Sequence, residues 1–399
     1  MRLILACTAL LIATAAHADE PLSPAQQFAR ETMIVDTHID APSALSKQWR
    51  DLGVDQPGVE FDYPRARQGG LDVAFMSIYT SPEDDVAGIA RQKAHMQIDS
   101  VEALAARHPG RFELVRSPRD VERLKPGQKV LLALGMENGA PIGDDLEQLR
   151  VFHERGVRYI TLAHSHSNRI ADGSYSLGRP WGGLSPFGEK VVAEMNRLGI
   201  MVDVSHLSDD AVRDVLRISK APVIASHSGL RHFTPGFERN LSDELGRAVA
   251  KNGGVVQLVF GSGFIDARAA ADTTAYFKAL AEFQREHDTV VKRGGTPAKT
   301  VAQFDDEWDA AHPKPATKIG QVLDQIDYAV KTLGADHVGI GSDFDGVGGA
   351  LPEGLRTVAD YPNLVAGMRE RGHSDETIRK VLGENLLRVW REVESRAQR

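Results

Sequence analysis

The sequence has a single cysteine, Cys7, among 399 residues. No fold that depends on internal disulfides can be built from it. Excess positive charge is also missing: 47 basic residues stand against 55 acidic ones, a formal net charge of −8. An acidic surface of this kind argues against nucleic acid as the partner. Beyond the first residues no apolar run approaches the roughly 20 residues needed to span a bilayer. No Pro/Gly/Ser linker divides the chain, and neither a short repeat nor a low-complexity tract is visible.

What is present begins with MRLILACTALLIATAAHA, which carries one charge, Arg2, then an apolar stretch closing on Ala16-His17-Ala18. That is the pattern of a secretory signal peptide cleaved after Ala18. Cys7 as a lipoprotein cysteine would leave only four apolar residues before it, too few for a normal apolar segment. Cleavage would remove Arg2 and leave a more acidic mature chain, 19–399, without cysteine. We expect that chain to be exported to the periplasm or medium, with no stable membrane anchor.

Along the mature region, short β-branched apolar runs alternate with longer amphipathic stretches, as in βαβ units of a parallel sheet. The runs are MIVDTHID from Met33, LDVAFMSIY from Leu71, VLLALGMEN from Val130, YITLAH from Tyr159, GIMVDVSH from Gly199, PVIASHS from Pro222, GGVVQLVF from Gly253 and HVGIGSDFD from His337. Eight such runs predict a closed TIM-like (β/α)₈ barrel as one catalytic domain, a fold that reaches over 400 residues with insertions. Between the runs, VAGIARQKAHMQIDSVEALAARH from Val86 reads as a helix. SPFGEKVVAEMNRLG from Ser185 opens on a Ser-Pro start signal and stops at Gly199. TIRKVLGENLLRVWREVES reads as a last amphipathic helix. The connection between the seventh and eighth runs is out of scale. It holds the helix-like ADTTAYFKALAEFQREHDTVVKRGG and a polar piece with Trp and Pro, fitting a lid or a surface decoration equally well.

Position then selects the chemistry. His38 and Asp40 close the first run, Glu137 the third, His164 the fourth, His206 the fifth, His227 the sixth and Asp343 the eighth. In a barrel these ends meet on one face, where catalysis occurs. Singly each is weak: His38 and Asp40 share a side of a strand but H-x-D is a common triplet, Glu137 could be a salt-bridge partner or a cap, and His206 and His227 could be packing or capping residues. Together they predict a metal site. Three imidazoles and two carboxylates exceed one tetrahedral ion with an open position but suit two ions sharing a carboxylate and holding a hydroxide between them. Nitrogen and oxygen donors favour zinc, and manganese, cobalt or iron would fit the same set.

These residues resemble the renal (membrane) dipeptidase family of binuclear zinc metallopeptidases. DTHIDAP, LGMENG, ITLAHSHSN, DVSHLSD, ASHS followed by ERN, and GSDFDG occur in the family's order over nearly the whole mature chain. The resemblance implies hydrolysis of dipeptides, including ones with a C-terminal D-residue, by a metal-bridging hydroxide. It implies that His38 and Asp40 bind one Zn²⁺, that His206 and His227 bind another, and that Glu137 bridges them. By the same resemblance His164 contacts the substrate and polarises its carbonyl, Arg239 holds the substrate carboxylate, Asp343 is the acid/base and the protein is a homodimer. Ile39 replaces an Asn of mammalian members, VVQLV replaces a tyrosine-containing stretch, and both the mammalian cysteines and a C-terminal apolar tail are missing.

Several residues compete for these roles. Asp345 rivals Asp343 for proton transfer, although Gly346 suggests that a turn has begun there. Arg231 rivals Arg239 on spacing alone, and the ERN match favours Arg239. His166 shares the side of His164 only if the strand continues. His95, His108, His153, His232, His287, His312, His337 and His373 fall on predicted helices or loops, where surface or packing roles suffice. Two other functions remain open: a metal-dependent amidohydrolase acting on a lactam, lactone or N-acyl amino acid, and a non-catalytic binding protein on a decayed enzyme scaffold.

Overall fold

The computed structural model describes residues 21–124, 127 and 129–398. The expected signal peptide, 1–18, lies outside them.

All eight apolar runs are strands. They are β1 (Ile34–Ile39), β2 (Leu71–Tyr79), β4 (Val130–Glu137), β5 (Val157–Thr161), β6 (Met201–Asp203), β7 (Ile224–Ser228), β8 (Val255–Leu258) and β9 (Val338–Ile340); β3 (Phe112–Leu114) is an addition that periodicity did not disclose. Neighbouring strands pair in parallel in the order β1-β2-β4-β5-β6-β7-β8-β9. β3 pairs Phe112–Leu114 with Val130–Leu132, leaving Leu134–Glu137 of β4 to β5. Three residues are too few to show an alternation. The ring closes through a bridge between Ile39 and Phe344, where Asp40 N–H donates to Phe344 O at 2.8 Å and Asp343 N–H to His38 O at 3.0 Å. The result is a (β/α)₈-type barrel, as the eight runs predict.

One apolar cluster joins Val73 and Phe75 of β2, Leu131 and Ala133 of β4 and Tyr159 of β5 to Leu386, Val389, Trp390 and Val393 of the C-terminal helix. The strand members are alternate residues, so they share one face. The next residue on that face of β4 after Ala133 is Gly135, and the one after that is Glu137. Apolar packing at one end of the barrel thus gives way to ionisable groups at the other. Gly135 is glycine for a steric reason: a Cβ there would stand 2.0 Å from the Tyr159 ring.

The helix from Ser185 follows its sequence signals, with the Ser185 hydroxyl accepting from Gly188 N–H and Gly199 left-handed at φ 79°. The stretch from Val86 starts later than expected, at Ala90, because Gly88 takes φ 71° and breaks the backbone after a short turn. The terminal stretch is likewise interrupted. Its regular helix is Asn385–Ser395, preceded by a π-turn over Lys380–Glu384. Gly383 there packs against β1, where a Cβ would lie 2.6 Å from Met33 O. Within the long connection, the helix-like and polar pieces of the insertion form the helices Ala267–Lys292 and Val301–Ala311, between the shorter Ser262–Ile265 and the barrel helix Ile319–Leu333. No helix among the described residues is long and apolar enough to cross a membrane.

Candidate metal centre

Glu137 is the last residue of β4 and its side chain is buried. Its two oxygens face different neighbours. Oε2 lies 3.4 Å from His38 Nε2 and accepts from the Ser77 hydroxyl at 3.2 Å. Oε1 lies 3.0 Å from His206 Nε2, 3.2 Å from His227 Nε2 and 3.4 Å from His164 Nε2. Asp40 Oδ2 completes the His38 side at 3.3 Å. Three overlapping sets of possible ligands result: His38, Glu137 and His227; Glu137, His164 and His206; and His38, Asp40 and Asp343. The five expected metal ligands are therefore together, with His164 and Asp343 beside them.

Two imidazoles have outer partners at Nδ1. Tyr159 hydroxyl donates to Thr37 O at 2.9 Å and stands 2.9 Å from His38 Nδ1. With that proton on Thr37 O, the hydroxyl is an acceptor for His38 Nδ1–H, and Nε2 is then the nitrogen left to bind a cation. Ser226 hydroxyl donates to Asp203 at 2.6 Å and stands 2.8 Å from His227 Nδ1. Apart from its ionic contacts with Asp40 and Glu137, His38 Nε2 has no hydrogen-bond partner among the described residues, and His206 and His227 bring their Nε2 atoms to 2.9 Å from each other. Buried lone pairs aimed at a carboxylate are costly unless a cation is shared between them. The donor set, nitrogen and carboxylate oxygen in a tight cluster, fits divalent metal ions.

The electrostatics agree. Burial would raise the Glu137 carboxyl, but His38 and His164 outweigh it and hold the group well below the usual carboxylate range. Burial depresses the basicity of His206 and His227, with Arg239 adding to the effect. For His38, burial is outweighed by Tyr159, Glu137 and Asp40, and its basicity rises. Asp343 is pushed well above the usual range by burial and by the charge of Asp40.

Backbone strain gathers at the same end of the barrel. Among the described residues, the non-glycine ones with positive φ are Asn138, His206, Asp343 and Asp345, at 83°, 68°, 66° and 64°. Each such conformation costs about 1 to 3 kcal/mol and persists where the surroundings enforce it. Around Asn138 they do so through its side chain, which donates to Thr80 O at 2.9 Å and accepts from Ala140 N–H at 3.1 Å. His206 is held in a turn by Ser174 N–H, which donates to its carbonyl at 2.7 Å.

Asp345 points elsewhere than Asp343: its carboxylate accepts Glu60 N–H at 2.8 Å. Arg231 forms a bidentate pair with Asp209 at 2.6 and 2.9 Å and is thereby occupied. Arg239, only 2% exposed, donates to Ser228 Oγ and His227 O, both at 2.8 Å. Its Nε has no partner among the described residues. The guanidinium stacks 5.0 Å above the Phe264 ring.

A cavity of about 640 Å³ opens over the cluster. Asp40, Glu137, His164, His206 and Asp343 form part of its wall, with Tyr79, Tyr175 and Phe264 beside them. The long insertion contributes Asp272, Tyr276, Phe277, Trp308 and His312. His312, expected to be a surface or packing residue, is on the cavity wall, stacked on Trp308 at 3.9 Å. His166 is not on this wall; it borders a shallower depression with Ser176 and Arg285. Sequence reading also missed Tyr159, Ser226 and Asp203, the outer partners of the histidines. For Tyr159 there was one signal, a glycine inside a strand, Gly135, marking close approach by another group.

A parallel barrel with a tight cluster of buried imidazoles and carboxylates at its catalytic end has the donor set of a metal-dependent enzyme. The model of the family described as membrane dipeptidase (peptidase family M19) matches residues 22–399, and the chain belongs to that family. It is a membrane-dipeptidase-like metallopeptidase. Dipeptidase tcpJ of Claviceps purpurea is 32% identical over 340 residues, 84% of this chain and 69% of that protein. The probable dipeptidase PvdM of Pseudomonas aeruginosa has a crystal structure similar to this one, with TM-score 0.80 and 29% identity over 94% of this chain and 98% of that one. A metallopeptidase of Rhodobacter sphaeroides, crystallised with a phosphinate mimic of the dipeptide L-Ala-D-Ala, is 26% identical with TM-score 0.71, covering 91% of this chain and 99% of that one.

Proposed function

We propose that the chain is an exported dipeptidase in which His38, Asp40, Glu137, His206 and His227 hold two divalent ions, zinc by preference, and which accepts dipeptides ending in an L- or a D-residue. The observation that carries this reading is the division of Glu137, with one oxygen toward His38 and the other toward His206 and His227. When bound, such ions generate a nucleophile from water at neutral pH and stabilise the charge that develops on the carbonyl oxygen.

The chain's own residues do the rest. His164 Nε2, beside Glu137, is placed to donate to the substrate carbonyl oxygen. Asp343, on the cavity wall in the same group as His38 and Asp40, takes the proton from the attacking water and passes it to the leaving amine. Arg239, with Nε unused, pairs with the terminal carboxylate of the substrate, an ionic hydrogen bond suited to a guanidinium fork. A fixed carboxylate anchor close to the reacting centre would admit two residues and exclude longer chains. The ligand reported for the Rhodobacter sphaeroides protein supports including L-D dipeptides as substrates.

The test is a panel assay of the metal-loaded protein with L-L and L-D dipeptides, tripeptides and N-acyl amino acids. We expect turnover of dipeptides and none of tripeptides. Preferential turnover of N-acyl amino acids would replace this reading with the amidohydrolase one, and binding without turnover would replace it with the binding-protein one. Export rests on the first eighteen residues, and N-terminal mass spectrometry of the periplasmic or secreted protein should begin at Asp19.

A further inference from the structure

The carboxylate of Asp203 lies behind the metal centre, at the end of β6, with no exposure to solvent. Oδ1 accepts two backbone N–H groups, from Ser226 at 2.8 Å and Ser205 at 3.0 Å. Oδ2 accepts two hydroxyls, from Thr161 at 2.5 Å and Ser226 at 2.6 Å. The two N–H groups can only donate, and an ionised carboxylate can only accept. The single hydroxyl proton of Ser226 is thereby committed to Asp203. Toward His227 Nδ1, 2.8 Å away, the hydroxyl can then act only as an acceptor.

We propose that Asp203 is a positioning residue: through Ser226 it fixes His227 as the Nδ1–H tautomer, so that the bare Nε2 faces Glu137 and His206. The inference rests on reading His227 as a metal ligand. His38 reaches the same tautomer by another route, through Tyr159 and the Thr37 carbonyl. The Nδ1 atoms of His164 and His206 have no partner among the described residues. Of the four imidazoles at the site, His227 is thus the one whose proton position is set by a buried carboxylate. Replacing that carboxylate by an amide reverses the wiring. In Asp203→Asn the amide oxygen keeps the two backbone donors and the NH₂ group faces the hydroxyls. The Ser226 proton is freed to point at His227 Nδ1, which favours Nε2–H, the tautomer that cannot ligate.

The experiment compares wild type, Asp203→Asn, Ser226→Ala and Thr161→Val. Metal affinity is measured by chelator competition with Zn²⁺, and the His227 tautomer by imidazole ¹⁵N–¹H correlation spectra of the metal-free full chain. In Asp203→Asn, one of two ions should bind about 10- to 100-fold more weakly, the range typical for loss of an outer partner of a ligand, with the spectrum moving to Nε2–H. Ser226→Ala keeps the carboxylate and its remaining donors while cutting the relay. It should weaken the same ion and give a mixture of tautomers, and it decides the question if Asp203→Asn does not fold. Thr161→Val, which removes a donor outside the relay, should leave the His227 tautomer unchanged. Retention of Nδ1–H and of both wild-type affinities in Ser226→Ala overturns the proposal. If His227→Ala itself leaves metal content intact, the metal reading of His227 has failed instead.

Discussion

The cavity has two kinds of wall. On the barrel side, each ionisable group stands at or just beyond the end of a buried strand, and His38, Glu137 and His227 are each bonded to a second residue behind or beside them. On the insertion side, the helix Val301–Ala311 has no buried residue. It is tied to the other insertion helix by ring contacts, Tyr276 on Trp308 at 5.7 Å and Phe283 on Phe304 at 4.9 Å, and by the Tyr276 hydroxyl, which donates to Asp305 at 2.8 Å. The barrel side is over-determined and can hold strained backbone at His206 and Asp343; the insertion side is a surface layer with few interior contacts. Groups that must be placed within fractions of an ångström need the first kind of support. Groups that only cover a substrate can sit on the second, where local opening costs less.

The comparison predicts a gradient of effects. Glu137→Gln should be the most severe, because it removes the group shared by both proposed ion sites. Elemental analysis should show loss of metal, and activity should fall by upward of about 10³-fold, since the ions supply several kcal/mol at 1.36 kcal/mol per tenfold. Asp343→Asn comes next. Both ions should remain, while kcat falls about 10²- to 10⁴-fold, or about 3 to 5 kcal/mol. If this variant keeps more than about a tenth of kcat with full metal content, proton transfer belongs to another group, Asp345 first. Arg239→Ala should act on binding, raising KM for dipeptides about 10- to 100-fold for the loss of an ionic hydrogen bond of about 1.5 to 3 kcal/mol. A loss confined to kcat would remove Arg239 from the carboxylate role.

The same contrast explains what the sequence disclosed. Strand ends were legible because buried parallel strands are continuous apolar runs, and a His, Asp or Glu that ends such a run stands out against it. That is why His38, Glu137, His206, His227 and Asp343 could be named together. Asp203 sits three residues before His206 in an ordinary-looking DVSH. Its importance arises from contacts with Ser226 on the neighbouring strand, which no spacing along one strand encodes. Tyr159 was hidden inside a run that looked purely structural, and its link to His38 crosses the barrel. The insertion could be recognised as long, but lid and surface decoration fitted its sequence equally well, because a helical pattern does not say what the helix faces. His312 was passed over for that reason.

The smallest expected effect falls at the join between the two walls. Phe277, on the insertion helix, stacks on Tyr175 with ring centroids 4.0 Å apart and planes at 19°. Tyr175 in turn stands edge-on to His206 at 6.4 Å. This is the ring contact that ties the insertion to the metal centre. Phe277→Ala removes an aromatic pair worth about 0.5 to 1.5 kcal/mol beyond its buried area, and Tyr175 remains fixed on its other side by Phe237 at 5.9 Å. If the insertion only covers substrate, KM should rise about 2- to 12-fold, the equivalent of that energy at 1.36 kcal/mol per tenfold. Metal content and kcat should stay near wild type, because no ligand loses a bonded partner. Phe277→Leu, which keeps apolar volume without the ring face, should fall between the two. Metal analysis and steady-state kinetics on the same preparations decide the matter. A fall in metal content or a tenfold loss of kcat in Phe277→Ala would mean that Tyr175 transmits the position of the insertion to His206, and that the two walls work as one.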